Sequence, residues 1–400
     1  MKNVVVLGTA YPYRGGLASF IEMIARTFGK QGKKVDVITF KLQYPEWLFP
    51  GETQFSKSPP PDGLNIIRMV NSVNPLNWLR VGLHIRRMRP DTVFLKYWTP
   101  FLAPCMGTIC RIVSGNRHTV ILTQLDNVVP HEKHFYDNIL TRYFVNSVHG
   151  FLYMSQQVKS ELDMFTTKKP AIFAPHPVFS NFGEKVTRHE ACQQLNLPTD
   201  KHYVLFFGLI RDYKGLDLML DAWANLRTNG QAHDKKLIIA GEFYTDKAPY
   251  IQQMERLGVS DDVIWHDRFI RDEDVKYYFS AVDVLVQPYK SATQSGVTQI
   301  AYQFETPMIV TNVGGLAEIV PDGQTGFVVE TNALDITQAI EKIYENDNLQ
   351  RMAENMITEK RRFSWDHFAE QLGKLYETVI DSQKSTVRLS SAMLSTSRSL

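Results

Sequence analysis

Two cations and two glycines stand together in FFGLIRDYKGLDLMLDAW, where Gly208 ends an apolar run and Arg211, Lys214 and Gly215 precede a helical pattern. At the carboxyl end of a strand this set suits a diphosphate. Arginine offers a planar fork of donors, lysine a point charge, and glycine lets a ligand approach the backbone. Read alone, the pair is more simply a set of solvated surface cations; the balance turns because the layout recurs. The first apolar run leads into GTAYPYRGGLASF, where Gly15 and Gly16 precede a helix whose free N–H groups and positive potential face an anion. That spacing is not GxGxxG, so a dinucleotide fingerprint is absent. In KSATQSGVTQIAYQF, Ser295, Gly296, Val297 and Thr298 are predicted to open a third such helix. With Arg211 and Lys214 they make a clamp for a pyrophosphate leaving group.

The elements that must position these residues are strands alternating with helices in both halves, the pattern of parallel sheets covered by helices. Residues 3–9, 34–40, 91–97, 119–125 and 150–155 read as strands in the first half. Residues 203–210, 235–241, 263–269, 282–288, 306–312 and 325–330 do so in the second. LASFIEMIARTFGKQG (17–32) has helical periodicity and ends on Gly32 as a C-cap. The Pro- and Gly-rich stretch around 170–200 marks a junction. The expected organisation is therefore a first domain over 1–178, a second over 179–365, a closing helix at 366–383 returning toward the first domain, and a mobile serine-rich tail at 384–400. Two doubly wound domains would face each other across a cleft at the carboxyl ends of their sheets. PHP (175–177) and the final helix would act as hinge and strap.

Composition limits the alternatives. Four hundred residues exceed one ordinary core, which stops growing at roughly 250–300 residues. A net charge of +2 gives no reason to expect nucleic acid as the main partner. Apolar runs such as VLFFGLI are strand-sized, well short of the roughly 18 residues needed to span a bilayer, and MKNVVVLG lacks signal-peptide architecture. A cytoplasmic location is expected, with the inner face of the membrane as a peripheral contact. Three cysteines, Cys105, Cys110 and Cys192, without CxxC spacing or histidine pairs, argue against a disulfide framework or zinc site.

The order strand–GxxRxxKG, then DRFIRDEDVKYYFSAVDVLVQPY, SGV and TPMIVTNVGGLAEIVPDGQTGFVV resembles the retaining glycosyltransferases of group 1. The resemblance runs from PYRGG to FSWDHFAEQLGKLYE. It implies a GT-B fold: α/β, two doubly wound Rossmann-like domains facing a central cleft. It further implies a nucleotide-diphosphate sugar held by the second domain, an acceptor held by the first, and neither metal nor cofactor. Carried over, Lys214 binds the diphosphate. Arg211 is displaced from the position many members use, directly after the glycine, where this chain has Leu209. Arg268 and Phe269 in HDRFIRDED fall where the family packs against the nucleobase, Phe269 being equally a core residue. The family's helix carries two glutamates eight positions apart, one for the sugar and one for the ribose, and here those positions are Ala292 and Ile300. Sugar orientation would then fall to Thr293, Gln294, Ser295 and backbone N–H groups. The coherent polar turn SATQSGV reads as a rebuilt site rather than a decayed one.

On the acceptor side, Asp126 and Asn127 in TQLDNVVPHEKHFYD stand where relatives often have His-Asn. Asp126 either binds an acceptor hydroxyl or caps the next element. His131 contacts the donor sugar, acts in acid–base exchange, or is an ordinary loop histidine. Trp98 offers an aromatic face to a sugar or packs in the core. Arg86, Arg87 and Arg89 form a solvated face or approach anionic lipid. The function these readings favour is retaining transfer of a sugar to a hydroxyl of a glycan or lipid-linked saccharide. The rivals are a catalytically silent sugar-nucleotide-binding or glycan-binding subunit and a nucleotide-sugar epimerase.

Overall fold

A computed structural model describes residues 1–45, 54–56, 59–129, 135–178, 182–292 and 295–396, with side chains to Ser385. It divides into two compact units, Met1–Ala174 together with the chain from Trp365, and Pro175–Ser364. The chain thus passes between units at 174/175 and again at 364/365.

In order, unit 1 contains β1 (Asn3–Leu7), α1 (Gly16–Lys30), β2 (Lys34–Leu42), β3 (Ile66–Asn71), α2 (Pro75–Met88), β4 (Thr92–Tyr97), α3 (Ala103–Ser114), β5 (Val120–Leu125), α4 (Asp137–Val145), β6 (Gly150–Tyr153), α5 (Gln156–Asp163) and β7 (Ala171–Phe173). Unit 2 follows with α6 (Arg188–Leu195), β8 (His202–Phe207), α7 (Leu216–Thr228), β9 (Lys235–Ala240), α8 (Ala248–Leu257), β10 (Val263–His266), α9 (Asp272–Ala281), β11 (Val284–Gln287), α10 (Gly296–Phe304), β12 (Met308–Thr311), α11 (Leu316–Ile319), β13 (Gly326–Val329), α12 (Ala333–Ile343) and α13 (Asn348–Glu359). α14 (Trp365–Thr396) returns to unit 1.

Both sheets are parallel throughout. Unit 1 has the order β3-β2-β1-β4-β5-β6-β7 and unit 2 the order β10-β9-β8-β11-β12-β13. Helices cover both faces, so the central strands read as unbroken apolar runs; β4 and β5 are buried at every residue. Each sheet separates two apolar clusters. In each unit the strand order reverses beside the first strand, between β1 and β4 and between β8 and β11, which opens a crevice at the carboxyl ends.

Local sequence explains the helix starts. Asn74 caps α2 by accepting from Asn77 N, with Pro75 at the first helical position where its missing N–H costs nothing. The side chains of Ser155, Thr187 and Asn332 cap α5, α6 and α12 in the same way. α14 is anchored by Phe368, which meets Phe20 at 5.4 Å and Phe94 at 6.2 Å between ring centroids. The tail expected from residue 384 instead continues this helix to Thr396.

Candidate active site

The diphosphate candidates of unit 2 gather at the carboxyl end of its sheet. β8 ends at Phe207 and Gly208 turns the chain with φ +102°. A short 3₁₀ turn, Asp212–Lys214, then delivers the chain to α7. Gly215 is obligatory there, because its φ is +70° and a Cβ would sit 2.0 Å from the Pro288 carbonyl oxygen. That close approach fixes Lys214 beside the end of β11. The turn is pinned further by Lys290 N donating to Tyr213 O at 2.7 Å and by Tyr250 Oη donating to Asp212 Oδ1 at 3.1 Å.

Lys214 is 8% exposed. Its Nζ stands 3.2 Å from where a Cβ on Gly208 would lie and 5.5 Å from the centroid of the Tyr289 ring. Among the described residues it has neither a carboxylate partner nor a hydrogen-bond acceptor. Burial lowers its pKa, outweighing an opposing contribution from Tyr213, and Arg211 acts in the same direction as burial. An ammonium taken out of water without a counter-ion is costly, and that cost is offset when an anion arrives.

Opposite it, α10 begins at Ser295. Ser295 Oγ caps the helix by accepting from Val297 N at 3.2 Å, and it also accepts from Gln287 Nε2 at 2.7 Å. Tyr289 Oη lies 3.4 Å from the same oxygen. Gln287 is 1% exposed, and its Oε1 has no partner among the described residues. A cavity of about 300 Å³ is lined by Phe182, Tyr213, Lys214, Tyr289, Ser295, Gly296, Val297 and Ile300. The sequence placed Lys214, Ser295, Gly296 and Val297 in one clamp, and this cavity brings those four together. Gly208 sits at its edge, its Cβ position 3.4 Å from Val297 Cγ2.

The remaining expectations divide. Arg211 is exposed, its guanidinium 5.2 Å from the Tyr244 ring centroid, and it is absent from the cavity lining. Ile300 lines the cavity, 7% exposed, whereas Ala292 is half-buried against the core. Neither position brings a carboxylate to the cavity. Arg268 and Phe269 line a separate hollow of about 360 Å³ with Gln194, Leu195, Arg271, Asp274, Tyr277 and Tyr278. Phe269 is 63% exposed, so the core reading of that ring is corrected. Thr293, Gln294 and His131 lie outside the described residues.

In unit 1, Gly15 caps α1 with φ +97°, and a Cβ on Gly15 or Gly16 would meet nothing within 4 Å. The backbone there is open to a ligand. Asp126 does not cap the next helix, since α4 has Tyr136 at its N-cap. Asp126 pairs with Lys96 instead, Nζ to Oδ2 3.1 Å, and Lys96 sits 3.9 Å over the Phe20 ring. Burial raises the Asp126 pKa against the pull of Lys96. Trp98 donates from Nε1 to Tyr44 Oη at 2.8 Å and packs on the core, the second of its two readings; Asn127 is half-exposed. Gln287, Tyr289 and Tyr213 escape the sequence reading. The available signal was a glutamine ending an otherwise apolar strand, in VDVLVQP. Gln124, next to last in β5, is another strand glutamine, fully buried with both amide atoms unpartnered among the described residues.

Residues 187–363 match the family model described as glycosyl transferases group 1. The chain carries a group 1 glycosyltransferase domain. That domain lies inside unit 2 and contains the whole Lys214 cavity apart from Phe182. A D-inositol 3-phosphate glycosyltransferase from Arthrobacter sp. is 27% identical over 190 residues, 47% of this chain and 45% of that protein. The chain thus spans about half the length of the curated relatives it matches. Sucrose-phosphate synthase from Thermosynechococcus elongatus superposes with a TM-score of 0.69 at 18% identity, covering 95% of this chain and all of that one. The Anabaena protein Alr3699/HepE, solved in complex with UDP, gives 0.69 at 16% identity over 94% of this chain and all of that one. These likenesses show the GT-B fold, with two Rossmann-like domains. Among its described residues no helix is long and apolar enough to cross a membrane, and no group of three or more His, Cys, Asp or Glu is arranged to hold a metal.

Proposed function

We propose that this chain is a retaining glycosyltransferase that takes a sugar from a nucleotide-diphosphate donor and passes it to a hydroxyl, without a metal. The observation that carries the reading is the buried Lys214 ammonium with no acceptor among the described residues, placed over Gly208 and beside the N-terminus of α10. The cavity supplies one full positive charge and helix N–H groups to the same small volume, which suits a diphosphate. UDP in the Anabaena neighbour accords with a nucleotide-sugar donor.

In the reaction the bond from the anomeric carbon to the phosphate oxygen breaks, and a bond from the same carbon to the acceptor oxygen forms on the same face. The acceptor proton passes to the departing phosphate oxygen. Lys214 and the α10 N-terminus stabilise the charge that develops on the leaving group, a contribution present before the reaction begins and so free of reorganisation. Ser295, held by Gln287, fixes where the helix begins and therefore where its N–H groups point. With Ala292 and Ile300 in place of carboxylates, contacts to the sugar and ribose come from hydroxyls, amides and backbone groups. The acceptor is a hydroxyl of a glycan or lipid-linked saccharide, bound by unit 1 near Asp126, the open Gly15–Gly16 turn serves the donor, and the reaction proceeds in the cytoplasm.

The test is turnover of a panel of UDP-, GDP- and ADP-sugars in the presence of a chelator, with the anomeric configuration of the product read by NMR. Transfer or slow hydrolysis with retention supports the reading. Donor binding with no turnover under any acceptor favours a silent binding subunit, the reading that Ala292 and Ile300 motivate. Conversion of the donor sugar with no acceptor present favours an epimerase.

A further inference from the structure

A second cavity lies at the amino end of the unit 1 sheet, the opposite end from the carboxyl-end crevice. It measures about 460 Å³, against about 300 Å³ for the Lys214 cavity. Its walls are the turn from α3 into β5, the residue ahead of β6, and Ser382 and Gln383 on α14. No carboxylate lines it. Arg117 is set in the wall by a left-handed backbone, φ +53°, and by Asn116, whose Oδ1 accepts from His118 N and Thr119 N, both at 2.9 Å. The Arg117 side chain is exposed and has no carboxylate partner among the described residues. His118 stands beside it, with Nε2 3.5 Å from Asp91 Oδ1. His149 is half-buried, and its Nδ1 accepts from Ile121 N at 2.9 Å, which leaves the ring proton on Nε2. That proton goes to Ser114 Oγ at 2.9 Å, so the Ser114 hydroxyl has its own proton to give to a ligand. The carboxyl end of α3 would oppose an anion, but its last carbonyls, Ile112, Val113 and Ser114, are already bonded to the N–H groups of Gly115, Asn116 and Arg117.

We propose that this cavity binds a phosphate group, either free or as the monoester of a small polar alcohol. The Arg117 guanidinium and the Ser114 hydroxyl donate to phosphate oxygens, and a protonated His118 adds charge. The Gln383 amide is placed to meet hydroxyls on the body of an ester, for which the cavity has room. The site belongs to unit 1 and stands outside the transfer reading, because its assay reads binding alone.

The experiment is hydrogen exchange by mass spectrometry on the full chain, titrated with inorganic phosphate and with sn-glycerol 3-phosphate, glycerol serving as the uncharged control. Protection is expected over 114–121 and 379–385 with both phosphates and not with glycerol. Arg117→Met should raise the apparent Kd at least about tenfold, the loss expected for one hydrogen bond to a charged group. Its circular dichroism spectrum should be unchanged, since the side chain is exposed. Tighter binding of the ester than of phosphate, lost in Gln383→Ala, supports the proposal with an ester as the source. Equal binding of the two, indifferent to Gln383→Ala, supports it with free phosphate as the source. Lys214→Met should bind both with native affinity, because that residue lies in the other unit. The proposal is overturned if neither phosphate protects both segments, if glycerol protects them equally, if Arg117→Met binds as the wild type does, or if Lys214→Met abolishes the protection.

Discussion

Replacing Lys214 by methionine separates a binding cation from a structural one. Methionine keeps the length and apolar stem of the side chain beside Tyr289 and removes only the charge. In the free protein that charge is buried without an acceptor among the described residues, so its loss should leave stability unchanged or raise it by about 1–3 kcal/mol. Toward a diphosphate the balance reverses. A charge-assisted hydrogen bond contributes about 1.5–3 kcal/mol, so donor affinity should fall roughly 10- to 150-fold. If the same ammonium stabilises the departing diphosphate, kcat should fall by about 10²–10³, the magnitude found when one preorganised donor to a developing charge is removed. The assays are thermal denaturation without ligand and steady-state turnover on whichever nucleotide sugar the wild type accepts. A variant that melts lower yet turns over at the native rate would refute the reasoning, because Lys214 would then be a packing residue.

Further outcomes follow from other contacts. Gly215→Ala should destabilise unit 2 by more than about 2 kcal/mol in urea denaturation, since φ +70° and the Pro288 carbonyl leave no room for a methyl. Ser295→Ala should cost about 1–3 kcal/mol, through the lost cap and the stranded Gln287 amide, and should weaken donor binding in the same titration series. Phe368→Ala should cost about 3–5 kcal/mol, because that ring joins α14 to Phe20 and Phe94. His149 accepts from Ile121 N at 2.9 Å and burial, aided by Lys169, lowers its pKa to about 4 from 6.5. The unfolded chain therefore binds a proton that the folded one refuses between those values. Stability should decline as pH falls from 6.5 toward 4, by up to about 3 kcal/mol, and His149→Asn should flatten that part of the profile.

The alternation of apolar strands and helical stretches was legible because parallel sheets bury both faces, leaving runs such as VLFFGLI with no polar interruption. β3 escapes that reading because Arg68 and Asn71 interrupt an edge strand, and β7 because it has three residues. At the site, Lys214 and Ser295–Val297 were legible as charge and helix-start signals. Gln287 and Tyr289 were not, since their position depends on the Gly215–Pro288 approach, a contact between segments more than seventy residues apart. Asp126 was legible as a functional type but not as the partner of Lys96, which belongs to the neighbouring strand β4 and is buried there against expectation for a lysine.

The central claim is that the Lys214 cavity receives the diphosphate of a nucleotide sugar. Calorimetric titration of the full chain and of Lys214→Met with UDP, GDP and ADP tests it most directly, since it needs no knowledge of sugar or acceptor. The account predicts that one of the three binds the wild type without metal and binds the variant at least about tenfold more weakly. Equal affinity for wild type and variant, or no binding of any of the three, would contradict it.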